Sequence, residues 1–493
     1  MSVPRRHAGA SGAAWVAAAV LLACLLAAGL LDAPALALVP GVAVVTAAAL
    51  RYPKYALLTC VALVPLSTEL YFGGVGLDFP VEPALIATTG LGIVYLLRHA
   101  ADIPGAALRH PITLLLLAHL AWVLLTTLTS VNPVFSVKFL VAKAWFVIPW
   151  YVLAGLWLTR AADVRRFVAF LAVPLAVALV YAVVRHASMG FAFDLVNKAM
   201  YPFFRNHVAY AALPSITLPF VAVGALLFPR RSWRRYGLWA LTLLMLLAIQ
   251  TSYTRAAYVS IVAGAGYCLV LRYRLARPAL LLALGVVFAF GVYIVSDNNF
   301  LRFAPNYEKT ITHTDFESLV EATYKLEDIS TMERVYRWVA AGYMNAERPW
   351  MGFGPGTFAT EYRGYAIENF RTYVSENREG SGVHSYYLMT LAEQGWPGLV
   401  LFLALCVTAL VLAERIYHRA ADREERLVIL MAAASLVTNL SFQLINDMIE
   451  TDKAGPWFWY ALAILVAVDL RQRRRSGHVV GGVGAGTDGA DVR

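Results

Sequence analysis

PALLLALGVVFAFGVYIV, Pro278 to Val295, is followed without a break by SDNNF, Ser296 to Phe300. The first run carries no charge over its whole length. That length is close to the ~20 apolar residues a helix needs to cross about 30 Å of hydrocarbon. The second opens the only long polar segment of the chain, Ser296 to Val383, rich in Asp, Glu, Asn, Arg and Tyr and leading into His384. On either side of it the chain is a succession of apolar runs. This boundary decides the fold class: an all-α polytopic membrane protein with one large polar insertion.

Composition agrees. Of 493 residues, 60% are hydrophobic and 15% charged, and mean hydropathy is +0.62. A soluble domain carries roughly 45–50% apolar and about 25% charged residues. Helices suit lipid because each satisfies its own backbone hydrogen bonds. Fourteen spans are predicted: 13–31, 34–50, 55–70, 82–98, 111–129, 138–158, 166–185, 207–228, 236–253, 256–272, 278–295, 384–413, 427–446 and 455–470. The second, third and last are short, so the expected count is about 12–14.

The net charge of +10 does not point to nucleic acid, because Lys and Arg sit in short connections between apolar runs. With the N-terminus inside, alternate connections carry Arg51/Lys54, Arg98/Arg109, Arg160/Arg165/Arg166, Arg230 to Arg235, Arg272/Arg274/Arg277 and Arg415 to Arg426. That is the positive-inside pattern. It puts both termini in the cytoplasm and residues 296–383 outside. The domains expected are helices 1–11 over 1–295, the loop 296–383, C-terminal helices over 384–470, and a disordered cytoplasmic tail over 471–493. Cys24, Cys60, Cys268 and Cys406 all lie in apolar runs, with no zinc or disulfide spacing. Leu-Leu-Ala-Cys at 21–24 is faintly like a lipoprotein signal, but apolar residues continue past it, as in a first membrane helix.

Within the loop, Thr331 to Asn345 is predicted helical, with Val335, Trp338, Val339 and Tyr343 on one face. Gly352-Phe-Gly-Pro-Gly356 follows as a rigid turn, equally compatible with a structural turn and a ligand cradle. It lacks the Gly-Lys-Ser/Thr of a phosphate loop. His384 stands where the loop meets the next span, and Glu393 and Gly395 follow. A histidine there is ordinarily an interfacial polar residue, but its titration near working pH also suits a general base. Arg205 and Arg255 lie at outer ends of spans, where the plain alternative is snorkelling. Arg334, beside Arg337 and Trp338, has a surface ion pair as its plain alternative. All fall on one side under an orientation chosen from loop charge alone.

These residues also carry a resemblance. Arg334-x-x-x-Trp338, Pro349-x-x-Gly352-x-Gly354-x-Gly356-x-Phe358, and His384-x-x-x-Leu388 with Glu393 and Gly395 resemble the O-antigen ligase/polymerase family. Thr251-x-x-Thr-Arg255 and Arg205-Asn206-His207 are similar to its Arg-containing turns. Ser385 stands where the family commonly has Asn, and Tyr253-Thr254 where it commonly has Ser. The resemblance spans about residues 200–400. It implies transfer of a glycan from an undecaprenyl-diphosphate carrier to a lipid or glycan acceptor hydroxyl, inverting and metal-independent. In that reading His384 is the base, with Arg334 beside it. Arg205 and Arg255 hold the diphosphate, and Lys138 and Arg185 are weaker candidates. No cofactor is expected, and no Asp-x-Asp occurs. A polymerase shares the donor chemistry. A polysaccharide flippase is the alternative of another class; Lys143 and Arg185 lie near membrane depth, but no internal repeat supports it.

Overall fold

A computed structural model describes residues 51–72, 75–100, 103–303, 329–367 and 382–483. The chain divides into two compact units, Met1–Leu57 and Leu58–Arg493. Of the first, only 51–57 are described, where helix α1 (Pro53–Leu63) begins. The spans expected at 13–31 and 34–50 lie outside the described residues.

The second unit is helical almost throughout. Its helices are α2 (Val81–Arg98), α3 (Pro111–Leu128), α4 (Pro133–Val147), α5 (Ala161–Ser188), α6 (His207–Gly224), α7 (Trp233–Thr251), α8 (Arg255–Tyr273), α9 (Ala276–Val295), α10 (Ile329–Glu347), α11 (Tyr386–Arg419), α12 (Arg423–Phe442) and α13 (Gly455–Val483). Among the described residues, nine helices are long and apolar enough to cross a membrane. The chain is an all-α polytopic membrane protein. α7 and α13 are also helical where spans are predicted. The spans predicted at 138–158 and 166–185 begin earlier than expected, at Pro133 and Ala161. Directly after α4 the hydrogen-bond ladder widens to a π turn over Ile148–Leu153, where Pro149 supplies no N–H.

Among the nine candidate membrane-crossing helices, α12 and α6 are the most enclosed. In α12, 78% of the most apolar window is buried, against 0% in α9. α8 approaches α12 closely at Gly264, where a Cβ would lie 2.1 Å from Thr438 Oγ1. Small residues let membrane helices touch along their backbones. Phe167, Phe220 and Tyr460 form the aromatic centre, with ring centroids 4.2–5.6 Å apart.

Two expectations need correction: the span predicted at 55–70, whose helix stops at Leu66, and the disordered tail. Thr68–Phe72 (β1) and Val75–Phe79 (β2) form an antiparallel hairpin with Glu69 opposite Asp78. Tyr, Phe, Thr and Val favour strands. The Gly73-Gly74 dipeptide between them was the available hairpin signal. The tail expected to be disordered from 471 is helical to Val483, and 484–493 lie outside the described residues. Side-chain anchors explain the continuation. Buried Asp469 pairs with Arg473 at 2.6 Å and Arg419 at 2.8 Å. Gln472 donates to the Ile416 carbonyl at 3.0 Å, and Arg475 pairs with Glu425 at 3.2 Å.

Candidate functional site

The described part of the polar insertion is a folded cap on the start of α11. Val335, Tyr336, Ala340, Ala341 and Met344 of α10 are buried with Phe353, Phe358, Tyr362, Val383 and Ala392. The expected face was partly wrong: Trp338 and Val339 are only partly buried, and Tyr343 is 49% exposed. Ala340 and Ala341 take the inner positions, because a close packing seam favours small side chains that a search for large apolar residues passes over.

The Gly352–Gly356 turn resolves as a structural lock. Phe353 and Gly354 donate to the carbonyls of Ala392 and Glu393 at 3.1 and 2.9 Å. The buried Glu393 carboxylate accepts from the Gly356 and Phe358 N–H groups at 2.8 and 3.0 Å. The N–H groups that could cradle a phosphate there are already committed to Arg348, Ala392 and Glu393. On the other strand of this contact, Gly395 has φ +68° and a Cβ would lie 2.2 Å from the Trp350 carbonyl oxygen. Gly395→Ala is therefore expected to cost about 3 kcal/mol or more, read as a lowered unfolding temperature in detergent; an unchanged value would remove the lock from the account.

The lock leads back along α11 to His384, which has φ +57°. One bond from this strained residue and two from Tyr386 fix the start of α11 against the α12–α13 connection. The His384 N–H donates to Asp447 Oδ2 at 3.3 Å, the Tyr386 N–H to the Asn446 carbonyl at 2.8 Å, and the Tyr386 hydroxyl to Glu450 Oε1 at 2.9 Å. Glu450 also pairs with buried Lys143 at 2.7 Å, so Lys143 has a structural partner there. Burial raises the Asp447 carboxyl, while the His384 N–H and Arg337 draw it down.

On its other side His384 meets α10. Arg337 is 2% exposed; its guanidinium donates to the Gly382 carbonyl at 3.1 Å and to His384 Nε2 at 3.0 Å, and pairs with Glu333 at 3.4 Å. Arginine has only donors, so Nε2 is an acceptor and the imidazole is neutral. Burial, then the charges of Arg334 and Arg337, push His384 down to about 3.

Arg334 acts electrostatically on both His384 and His207, which joins the cap to the start of α6. His207 is also bound from the α7–α8 turn, where Thr254 Oγ1 donates to its carbonyl at 3.3 Å, next to Arg255. Arg205 is half exposed and pairs with Glu69 of the hairpin at 2.6 Å. The two weaker candidates have partners of their own, and Lys138 shares its acidic partner Glu82 with Arg205. Arg185 is tied to the Tyr181 hydroxyl at 3.0 Å and the Tyr201 carbonyl at 2.5 Å. Lys138 is exposed and acts on Glu82. Asp447 and Glu450 were missed by sequence reasoning; acidic residues packed between two apolar spans (Asp447, Glu450, Asp452) were the signal.

A pair of histidines among arginines, held by a helical cap on a membrane bundle, suits a group transfer from an anionic carrier. Residues 240–403 match the family described as O-antigen ligase. The match includes Arg255, Arg334, Arg337, the glycine turn and His384; it excludes Arg205, His207 and Asp447. It supports membrane glycan transfer of the ligase or polymerase type. No curated protein matches the chain.

Proposed function

We propose that the chain transfers a glycan from an undecaprenyl-diphosphate carrier to an acceptor hydroxyl at the outer face of the bacterial inner membrane, with both termini inside. The observation that carries this reading is the neutral His384 imidazole, bonded by Arg337 and in the field of Arg334, at the mouth of α11. A diphosphate is a good leaving group, so guanidinium charge can take the place of both a general acid and a metal ion. Arg255, Arg334 and Arg205 supply that charge from three different elements. The acceptor hydroxyl needs a base, and His384 already has its Nε2 lone pair. In the resting chain that lone pair receives the Arg337 N–H. An arriving diphosphate competes for both neighbouring guanidinium groups and so loosens the shield.

Ligase and polymerase differ in whether the acceptor is another lipid or another carrier-linked unit, and the site chemistry is common to both. The test is transfer by the purified protein from a carrier-linked donor, with a metal chelator present. Activity is expected to persist, and a strict divalent-metal requirement would overturn the mechanism. In the same assay Arg255→Ala is expected to raise donor KM roughly tenfold to a hundredfold, since a hydrogen bond to a charged group contributes about 1.5–3 kcal/mol. An unchanged KM in a folded variant reduces Arg255 to a topology residue.

A further inference from the structure

His384 is not the only histidine at this site whose protonation is legible. Asn197 Oδ1 accepts the backbone N–H of His207 at 2.9 Å and also contacts His207 Nδ1 at 3.1 Å. The backbone bond identifies that atom of Asn197 as oxygen, because an N–H must meet an acceptor. The ring nitrogen beside it therefore carries the proton and donates. A neutral imidazole with its proton on Nδ1 has its lone pair on Nε2. Among the described residues no side chain or backbone group donates to that nitrogen, and His207 is half-buried. The two histidines thus differ: Nε2 of His384 is engaged by Arg337, whereas Nε2 of His207 is open.

What an open lone pair can bind is set by its neighbours. Arg205 precedes it by two residues, Thr254 beside Arg255 holds its carbonyl, and Arg334 acts on its ring. On the reading above, these arginines bind the diphosphate. Phosphate oxygens carry no proton to give and are repelled by a lone pair. The group next to the diphosphate that can donate is a hydroxyl or amide N–H of the first sugar. Phe193 lies at 6.2 Å from the imidazole, edge to face, and provides an apolar wall of the kind that a sugar ring packs against.

We propose that His207 Nε2 accepts a hydrogen bond from the sugar directly linked to the carrier diphosphate, with Asn197 fixing the tautomer that makes this possible. His207 is then a determinant of which first sugar the protein accepts, separate from the arginines that bind any prenyl diphosphate.

Two binding probes separate these roles: farnesyl diphosphate, which has no sugar, and farnesyl diphosphoryl-N-acetylglucosamine. With full-length protein in detergent, His207→Ala is expected to weaken the sugar-bearing probe about tenfold, the size of one hydrogen bond. Farnesyl diphosphate should stay within about twofold. Asn197→Leu, which keeps the imidazole but frees its tautomer, should weaken the sugar-bearing probe alone by a smaller factor. If His207→Ala leaves both probes unchanged or weakens both equally, the assignment is overturned while the carrier reading stands. If the unaltered protein binds neither probe, the carrier reading fails and takes this assignment with it.

Discussion

His384→Ala is expected to lose transfer by about 10²–10⁴-fold, the usual loss for a positioned general base. Loss alone does not separate a base from a residue that holds the cap to α11, because His384 does both. The pH profile does. With its titration lowered to about 3 by burial and two guanidinium groups, the imidazole keeps its lone pair down to that pH. The acid limb of kcat/KM, which reports the free protein, is therefore expected near pH 3, with a level profile across the range where an ordinary histidine protonates. Binding of a diphosphate offsets the charge of Arg334. The lowering then weakens, so the acid limb of kcat, which reports the complex, is expected at higher pH, toward the ordinary value of about 6.5. Two limbs at the same pH would show that the arginines do not set the histidine's basicity. Full activity in His384→Ala would remove the base assignment.

The same field has a consequence for stability, and its direction follows from linkage. The unfolded chain takes up the His384 proton near the ordinary pKa, and the folded chain only near 3. Between those values the unfolded state binds more protons, so this residue's contribution is fully present above about 6.5 and is lost as pH falls through the window.

How far these residues could be read from sequence depended on whether their signal is local. The spans at 111–129 and 256–272 appear almost where hydropathy puts them, as Pro111–Leu128 and Arg255–Tyr273, because a lipid-crossing helix must be apolar along its own length. His384 and Arg334 stood out because charge and polarity cluster beside an apolar boundary. Their partners did not. Asp447 is sixty-three residues from His384, and its role depends on the α12–α13 connection folding back on the start of α11. Asn197 looks like any loop amide until it is seen to bond both the backbone and the ring of His207. The glycine turn was ambiguous for a related reason: whether its N–H groups are open to a ligand depends on a carboxylate thirty-seven residues later, Glu393. The C-terminal helix was cut short at 471 because an arginine run resembles a solvated tail unless its acidic partners on other helices are known.

Arg337→Leu is expected to destabilise the protein by about 3–5 kcal/mol, the cost of breaking a buried charge pair by removing one partner. The guanidinium is 2% exposed and holds Glu333, the Gly382 carbonyl and His384 Nε2 together. A leucine fills part of the volume and makes none of those bonds. Arg337→Lys keeps the charge but not the planar fork, so an intermediate loss is expected, measured for both variants as unfolding in detergent. If Arg337→Leu unfolds where the unaltered protein does, the link between cap and bundle does not run through this side chain. Activity then separates two roles for the same group. Glu333→Gln removes the ion pair but leaves Arg337 its bonds to Gly382 and His384, so stability should fall while transfer persists in the folded fraction. Arg337→Leu should lose both, because it removes the donor that orients the His384 ring and one of the two charges that keep it neutral. Transfer that survives in Arg337→Leu, with its acid limb moved up from about 3, would show that Arg337 only shields the base and that orientation comes from Asp447 and the α11 backbone.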